Sequence, residues 1–471
     1  MVITIKDIYQ QVEKFSKLEK IKVGGWVKSV RVGKEKIFIT LNDGSTLDNL
    51  QIIAERESSP SGLLEKVNFS SCLLVSGRLL FTPQRSQPFE LVVLGSDLEI
   101  INSTADDYPL QKKNIPLNVV RESPHLRAKT NYFLVLFRLR HSISKAIHDF
   151  FHREGFYYVP TPIITNNDAE GAGEAFNVTT DKKEPFFSKP ANLTVSGQLH
   201  AEALAQGLGK VYTFGPCFRA EKSHTTRHLA EFWMVETEMT FADLETIINL
   251  AEKMIKYVVN YVLDNNIAEL EFLENYDKEN KKEIINKLKK IVDSKFKRVD
   301  YTQVLEILKE RKEIFVFNDI KWGVDLQSEH EKYLCEHFDN NPVFITNYPA
   351  DLKAFYMKGG ILPEVKDRVL SEVKNNPDKK MAVCFDLLFP EIGELIGGSL
   401  REDNYQTLQE KAKQKSLNID NLSWYFDLRK YGYAPSGGFG LGLERLIMFI
   451  SGAENIRDTL AFPRFNGKLE F

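Results

Sequence analysis

Cysteine is scarce in this sequence, and long apolar runs do not occur in it. The four cysteines, at positions 72, 217, 335 and 384, lie far apart and never form a Cys-x-x-Cys pair. This spacing argues against a disulfide framework and against a zinc site. No apolar stretch approaches the ~20 residues that a membrane-spanning helix requires, and the N-terminal segment lacks a signal-peptide core. We therefore expect a cytoplasmic protein with no membrane partner.

A strong charge of either sign is also missing. The 471 residues have a formal net charge of −3 and a pI near 6.4. Any contact with nucleic acid must therefore come from local basic patches. Hydrophobic residues make up 43% of the chain, which is ordinary for a folded globular protein. The length predicts two to four domains, each with its own core.

Short alternating segments dominate residues 1–104 and predict five β-strands separated by turns. They are IKVGGWVKSV, KIFITLND, NLQIIA, CLLVSGRLLF and FELVVLGSDLEI. Five such strands favour a small OB-fold barrel, which exposes a face on which unstacked bases can lie. The candidate residues for that face are Trp26, Arg31, Phe38, Gln51 and Glu90. The alternative is that Trp26 and Phe38 belong to the core of the barrel.

The pattern changes twice after the predicted barrel. Residues 105–130 are basic and punctuated by proline, which is typical of a hinge between domains. The second predicted domain, 131–471, begins with a long helical pattern that is followed by the strand pattern FYYVPTPII. Within it, residues 243–312 are helical and highly charged. We interpret 243–312 as an appended helical region whose charged face is solvated.

The segment 211–239 predicts two strands joined by a basic loop. Alternation along the second strand places one aromatic ring and two carboxylates on a single face, at Phe232, Glu236 and Glu238. The same rule places Arg219 and Glu221 on one side of the first strand. Because unpaired buried charges are costly, this pattern indicates a charged ligand such as a nucleotide. The alternative is a surface hairpin whose charges are solvated.

Two segments near the C-terminus carry further charges among glycines. The segment GGFGLGLERL places Arg445 in the first turns of an amphipathic helix that follows a glycine-rich strand. In FDLLFPEIGELIGGSLRED, the carboxylates of Asp386 and Glu394 precede a Gly-Gly pair. Mg²⁺ prefers a few carboxylate oxygens together with substrate phosphates, so these two side chains suffice as anchors. The alternative is that both carboxylates lie at strand ends on the surface.

Together, these segments resemble the second and third signature motifs of the class II aminoacyl-tRNA synthetases. The resemblance implies that ATP is a substrate, that Arg219 binds its α-phosphate and that Phe232 stacks on the adenine ring. It also implies that Arg445 binds the γ-phosphate. Arg219 and Arg445 are the predicted catalytic residues, since neutralising two phosphates leaves the α-phosphorus open to attack. The remaining residues assigned to ATP are Glu221, Arg227, His228, Glu394 and Gly442.

The same resemblance implies the architecture and the assembly. We expect an α+β protein, in which the OB-fold barrel precedes a catalytic domain made of an antiparallel sheet flanked by helices. The first long helix, the strand after it and Pro162 resemble the first signature motif, which implies a homodimer. In the barrel, the resemblance implies that Phe38 stacks on the middle anticodon base and that Gln51 reads the first.

Three segments resemble the amino-acid pocket of the aspartate and asparagine subgroup: DAEGAGEAF, VSGQLHAEAL and GGSLRED. The residues implied for the pocket are Glu170, Ser196, Gln198, Glu236 and Arg401. Ala201 stands where the aspartyl enzymes carry a lysine that neutralises the substrate carboxylate. Asparagine offers one acceptor and one NH₂ donor, which Arg401 and Glu236 can satisfy. The whole chain resembles bacterial asparaginyl-tRNA synthetases, which implies L-asparagine, tRNA(Asn), ATP and Mg²⁺ as partners.

Three alternatives stay open at this stage. The first is an aspartyl-tRNA synthetase, including one that charges both tRNAs, and Ala201 and Glu236 argue against it. The second is a regulatory nucleic-acid-binding protein with a degenerate synthetase core, which the intact charged residues disfavour. The third is an enzyme that makes asparagine from aspartate on a related core. Such enzymes lack the N-terminal barrel that 1–104 predicts.

Overall fold

A computed structural model describes residues 1–56, 66–82, 88–110, 115–167, 175–180, 186–223, 225–360 and 379–469. The chain divides into two compact units, Met1–Val135 and Leu136–Phe471. Among the described residues, no helix combines the length and apolarity of a membrane span. All four cysteines are free thiols.

The first unit is a small β-barrel. Its strands are β1 (Ile21–Val32), β2 (Lys36–Asn42), β3 (Leu50–Glu55), β4 (Cys72–Phe81), β5 (Phe89–Val93) and β6 (Leu98–Asn102). They pair in the order β1-β2-β3-β5-β4-β6, and β1 closes the barrel by pairing with β4. The predicted barrel is therefore confirmed. Its last predicted strand is two strands, because a 3₁₀ turn at Gly95–Asp97 separates β5 from β6.

Alternation along the strands builds the core of this barrel. Val23 and Val27 of β1 are completely buried, whereas Trp26 on the opposite face is 39% exposed. The interpretation of Trp26 as a core residue is therefore wrong. Phe38 is partly buried on β2, and its sequence neighbours Ile37 and Ile39 are buried. The described part of this unit also contains the short helices α1 (Ile5–Gln10), α2 (Val12–Phe15) and α3 (Leu117–Arg121).

The second unit is organised around an eight-stranded sheet. Its strands lie in the order β13-β14-β15-β16-β17-β12-β11-β7. Their bounds are β7 (Tyr157–Tyr158), β11 (Lys210–Phe218), β12 (Glu231–Thr240), β13 (Lys297–Asp300), β14 (Val343–Thr346), β15 (Cys384–Phe389), β16 (Gly393–Leu400) and β17 (Ser436–Gly442). The six central strands are antiparallel, as predicted. At one edge β7 pairs in parallel with β11, and at the other edge β13 pairs in parallel with β14. The sheet is therefore mixed rather than wholly antiparallel.

A separate small sheet has the order β8-β10-β9, with β8 (Ile164–Thr165), β9 (Asn177–Val178) and β10 (Ala191–Leu193). The predicted strand FYYVPTPII is reduced to β7 and β8. Pro160 and Pro162 lie between them, and proline has no N–H with which to continue a ladder. The local apolar pattern was correct, but the proline residues interrupt the pairing.

Helices surround the large sheet. They are α4 (Asn131–Arg153), α5 (Gln198–Leu208), α6 (Leu244–Asn265), α7 (Ile267–Glu274), α8 (Ile284–Asp293), α9 (Tyr301–Lys309), α10 (Ser328–His337), α11 (Tyr405–Gln414), α12 (Ser423–Asp427) and α13 (Leu443–Ser451). The charged region 243–312 contains α6 to α9 and also the edge strand β13. Asp243 caps α6, which buries an apolar stripe at helical spacing and lies against β16 and β17.

The contact between β12 and β17 tolerates no side chain at Gly438. A Cβ atom there would lie 1.8 Å from the carbonyl oxygen of Thr237 and 2.7 Å from a carboxylate oxygen of Glu238. The Cβ position of Gly207, in α5, has no heavy atom within 4 Å.

We expect Gly438→Ala to lower the free energy of unfolding by roughly 3 kcal/mol, because the two strands must separate. The matched control Gly207→Ala is expected to raise it by about 0.5 kcal/mol, since alanine is the better helix former. Urea titration followed by circular dichroism measures both values. Equal stabilities of the two variants would contradict this prediction.

Candidate active site

A cleft of about 200 Å³ lies over the centre of the large sheet. Its lining includes every residue that the sequence assigned to the nucleotide: Arg219, Glu221, Arg227, His228, Phe232, Glu394, Gly442 and Arg445. These residues come from β12, from the β11–β12 loop, from β16, and from the junction of β17 with α13. Residues far apart in the sequence therefore meet in one cleft, as the motif pattern predicted.

The floor of the cleft is formed where β12 pairs with β17. Met234 lies opposite Gly442, and Glu236 lies opposite Gly440. A Cβ atom on Gly440 would approach the terminal methyl group of Met234 to 2.9 Å. Because β17 is rich in glycine, few of its side chains project into the cleft. Arg445 lies in the first turn of α13, and its Nη1 donates to the carbonyl oxygen of Glu394 at 2.6 Å.

A guanidinium group and an aromatic ring face each other in the cleft. The Arg219 guanidinium lies 5.2 Å from the centre of the Phe232 ring. Strand β11 ends at Phe218. The prediction that Arg219 and Glu221 share a face of this strand was therefore wrong, because neither residue belongs to it. Both side chains reach the cleft from the loop. Glu221 lies 3.6 Å from the ring nitrogen of His228.

The β11–β12 loop is tied to the hairpin turn between β15 and β16. Arg227 donates through Nη2 to the carbonyl oxygen of Glu391 at 2.7 Å and through Nη1 to that of Ile392 at 3.3 Å. Glu391 has a φ of 67°, a left-handed conformation. Its carboxylate also accepts from Lys287 at 3.0 Å. Arg227 thus holds this turn beside the cleft, in addition to lining the cleft itself.

The carboxylates of Asp386 and Glu394 converge over Gly397. An ideal Cβ on Gly397 would lie 3.2 Å from an oxygen of Glu394 and 3.6 Å from an oxygen of Asp386. The space over Gly397 is therefore bordered by both acids, which suits a divalent cation. Asp386 also accepts from Lys353 Nζ at 2.5 Å. Burial raises the pKa of Asp386, and Lys353 opposes that shift.

A third acid stands near these two and was missed by the sequence reading. Glu331 of α10 accepts from the backbone N–H of Glu394 at 3.3 Å. Burial, and then the charge of Glu394, raise the pKa of Glu331 to about 7. No motif marks this residue, because only the packing of α10 against β15 and β16 brings it here. Within the described ranges, no set of three acidic, histidine or cysteine side chains is close enough to cage a metal ion.

The predicted amino-acid pocket adjoins the cleft along β12. Glu236 is only 3% exposed. Its carboxylate accepts from the hydroxyl of Ser196 and, at 2.8 Å, from the backbone N–H of Gly197. Burial raises the pKa of Glu236, while these two donors and the charges of Arg219 and Arg401 oppose the increase. Glu170, the other acid assigned to this pocket, lies outside the described residues.

Arg401 is held by Glu238, which the sequence reading placed on the right face but gave no role. Arg401 donates to the Glu238 carboxylate through Nη2 at 2.8 Å and through Nε at 3.1 Å. Its Nη1 donates to the Ser399 hydroxyl at 2.6 Å. Gln198 also donates to Glu238, at 2.7 Å, so its amide nitrogen faces the sheet. The amide oxygen is the group of Gln198 that could accept from an ammonium.

A second buried acid lies behind Glu238 and completes the network. Glu202 of α5 accepts from Tyr433 at 2.9 Å and from Tyr425 at 2.5 Å, and its carboxylate pairs with Arg429 at 2.6 Å. The side chains of Glu202 and Arg429 are completely buried. Tyr433 connects this pair to Glu238, because its hydroxyl lies 3.0 Å from that of Ser436 and Ser436 donates to Glu238.

The residues assigned to the barrel face lie on adjacent strands. In one row across the sheet, Arg31 pairs with Phe38, and its guanidinium lies 4.8 Å from the centre of that ring. In a neighbouring row, Gln51 of β3 lies opposite Glu90 of β5. The Gln51 amide nitrogen donates to the carbonyl oxygens of two residues nearby on β2 and β3. Trp26 precedes Arg31 on β1, lies opposite Asn42 and is separated from this group.

The comparisons with known proteins agree with this geometry. A family model described as "tRNA synthetases class II (D, K and N)" matches residues 117–466. A second model, "OB-fold nucleic acid binding domain", matches residues 21–101. The chain belongs to the class II tRNA synthetases.

Individual relatives narrow the class further. The chain is 47% identical to "Asparagine--tRNA ligase" of Mycoplasma mycoides subsp. mycoides over 460 residues, which is 96% of this chain and 97% of the relative. It is 44% identical to the same ligase of Clostridium tetani, with 100% and 99% coverage. The structure of asparaginyl-tRNA synthetase from Pyrococcus horikoshii complexed with asparaginyl-adenylate aligns with a TM-score of 0.84 at 29% identity, with 100% and 99% coverage. Within its class, this chain is a member of the asparagine–tRNA ligase family.

We expect Arg429→Met to cost about 3–5 kcal/mol of unfolding free energy, because it leaves the Glu202 carboxylate buried without its cation. Adding Glu202→Gln should recover most of the loss. The control is Arg298→Met, which removes a solvent-exposed partner of Glu245 and should cost at most about 1 kcal/mol. Chemical denaturation measures all of these values, and equal losses in the two arginine variants would show that burial of the pair is not decisive.

Proposed function

We propose that this chain ligates L-asparagine to tRNA(Asn) through an asparaginyl-adenylate. In the first step, the asparagine carboxylate attacks the α-phosphorus of ATP and pyrophosphate leaves. In the second step, the terminal ribose hydroxyl of the tRNA attacks the adenylate and AMP leaves. The observation that carries this proposal is the Glu236–Arg401 pocket, which adjoins a cleft lined by phosphate-matching arginines.

The nucleotide roles follow from charge and shape. Arg219 and Arg445 enter the cleft from different elements, so they can neutralise different phosphates of one bent ATP. Phe232 offers a ring face to the adenine base. Glu221, Arg227 and His228 border the same space. Positioning and charge stabilisation account for the chemistry of adenylate formation, so no protein base is required.

Mg²⁺ fits the acidic edge of this cleft. Asp386 and Glu394 would hold the ion over Gly397, where both carboxylates converge. When bound, the ion supplies positive charge to the phosphate oxygens of ATP. Lys353 donates to the other oxygen of the Asp386 carboxylate and holds it in place.

Selection of asparagine follows from the polarity of the pocket. Each terminal nitrogen of Arg401 carries two N–H groups, so the guanidinium can donate to a substrate oxygen while it is held by Glu238 and Ser399. The Glu236 carboxylate can accept from the side-chain NH₂ of asparagine. Aspartate would bring a second carboxylate against Glu236, and Ala201 supplies no compensating cation. The α-ammonium would bind Gln198 at the start of α5 together with Glu170, and Ser196 lies in the segment that precedes this helix.

The first unit is proposed to bind the anticodon. The group formed by Arg31, Phe38, Gln51 and Glu90 combines a cation, an aromatic ring, an amide and a carboxylate on neighbouring strands. Such a surface suits the stacking and edge contacts that unpaired bases make. Trp26 is exposed on the same barrel and adds a second aromatic ring.

We further propose a homodimer in the cytoplasm. Tyr157 and Tyr158 are 60% and 52% exposed, and Ile163 and Ile164 are 44% and 46% exposed. A run of exposed apolar side chains beside the edge of the sheet supports an interface with a second copy. The four free thiols suit a reducing compartment.

Exchange of labelled pyrophosphate into ATP tests the proposed function and the role of Glu236. We expect exchange with asparagine and little with aspartate. Glu236→Gln should lower the preference for asparagine by about 100-fold or more, because a neutral amide no longer repels a carboxylate. Exchange with aspartate by the unsubstituted enzyme would refute the assigned specificity, and an unchanged preference in the variant would refute the role of Glu236.

Phe38→Ala tests the barrel face. We expect KM for tRNA(Asn) to rise about tenfold or more, because stacking of one base contributes roughly 1–3 kcal/mol. Asparagine-dependent exchange should be unchanged, since it needs no tRNA. Val32→Ala is the control, because Val32 is 59% exposed on β1 and is assigned no contact. Loss of exchange in Phe38→Ala would show that Phe38 serves the fold instead.

A further inference from the structure

The carboxylate of Glu236 is held by the chain segment that precedes α5. One oxygen accepts from the Ser196 hydroxyl, and the other accepts from the Gly197 N–H at 2.8 Å. The segment is itself fixed, because the Thr194 hydroxyl donates to the Ser196 carbonyl oxygen at 2.7 Å. The Ser196 hydroxyl oxygen also accepts from the Gln198 N–H at 3.1 Å. Both oxygens of the buried Glu236 carboxylate thus accept from donors whose positions are fixed by the segment.

The space around Gly197 shows that this contact depends on glycine. A Cβ atom there would lie 2.5 Å from the Thr161 hydroxyl oxygen, 3.0 Å from a Glu236 oxygen and 3.1 Å from a Thr213 methyl group. Thr161 and Thr213 are themselves hydrogen-bonded at 3.1 Å. Any larger residue would push the segment away from Glu236. The close approach is therefore built into the packing of this site.

The protonation state of Glu236 decides what the pocket can distinguish. An ionised carboxylate only accepts hydrogen bonds, so it matches the NH₂ group of asparagine and repels the carboxylate of aspartate. A protonated Glu236 carries an O–H group, which could donate to that same carboxylate. The site would then accept aspartate. Discrimination therefore requires that the buried carboxyl group stays charged.

We propose that Ser196 and Gly197 are specificity-positioning residues that keep Glu236 anionic and so enable the site to reject aspartate. The proposal rests on the function proposed above and adds a cause for its specificity. It assigns Ser196 an action through Glu236 rather than through the substrate alone.

The groups that face Glu236 act in opposite directions. Burial among β11, β12 and β17 raises its pKa. The Ser196 hydroxyl and the Gly197 N–H lower it, as do the charges of Arg219 from the β11–β12 loop and Arg401 from the end of β16. When the pH falls, the protonated fraction of Glu236 grows and the preference for asparagine should decline. Removing one donor should make this decline begin at a higher pH.

The test compares the full-length enzyme with Ser196→Ala and Ser196→Thr by pyrophosphate exchange. The measured quantity is the ratio of kcat/KM for asparagine to kcat/KM for aspartate, followed from acidic to alkaline pH. In Ser196→Ala, we expect the ratio to fall about tenfold near neutral pH, the effect of losing one hydrogen bond to a charged group. Its pH dependence should shift to higher pH. Ser196→Thr retains the hydroxyl and should retain most of the ratio.

Two controls separate this effect from a structural one. Glu236→Gln cannot titrate, so its ratio should not change with pH through this route. Ser423→Ala removes a hydroxyl at the start of α12 that donates to the backbone carbonyl oxygen of Asp420, and it should leave the ratio and its profile unchanged.

The outcomes are distinguishable. Equal losses for both amino acids in Ser196→Ala, with an unshifted profile, would refute the proposal and indicate a purely structural role for Ser196. A ratio that is independent of pH in both the unsubstituted enzyme and Ser196→Ala would also refute it. Failure of the unsubstituted enzyme to exchange with either amino acid would instead refute the proposed function on which it rests.

Discussion

The ion pair between Glu238 and Arg401 is the contact on which the rest of the pocket depends. It joins β12 to the end of β16, and the two side chains are 0% and 2% exposed. A buried pair of this kind is favourable only when further hydrogen bonds satisfy both partners. Ser399, Gln198 and Ser436 supply them. The guanidinium is thereby held rigidly enough to recognise one oxygen of a small substrate.

In the proposed function, the same sheet would place the nucleotide beside the amino acid. Glu236 and Met234 project from neighbouring positions of β12, towards the pocket and the cleft respectively, and both lie against the glycines of β17. Because β17 has no side chains at Gly440 and Gly442, the two ligands can lie side by side without a wall between them. The attacking carboxylate and the α-phosphorus can therefore meet. In the proposed reaction, this contact between two strands would hold the reacting groups close together.

Much of the site could be predicted because its residues lie in local motifs with characteristic spacing. Arg219, Phe232, Glu394 and Arg445 each stand in a short pattern that implies a charge or a ring next to a strand, and all of them line one cleft. Glu331 was not singled out in the sequence, and Glu202 lies within the segment VSGQLHAEAL but was assigned no role. They reach the site from α10 and α5, which contact the sheet through residues distant in the chain. The prediction from strand alternation also failed for Arg219 and Glu221, because β11 ends at Phe218, before either residue.

The sequence by itself determined the barrel strands, the glycine-rich floor of the cleft, the long helices and the family, because these depend on local periodicity and short motifs. Only the tertiary structure decided which charges neutralise one another. Strand alternation alone places Glu236 and Glu238 on one face and does not distinguish their partners. In the fold, Glu238 forms an ion pair with Arg401, whereas Glu236 accepts hydrogen bonds from Ser196 and Gly197. The reason is physical, since the partner of a buried charge is set by packing across the sheet and not by distance along the chain.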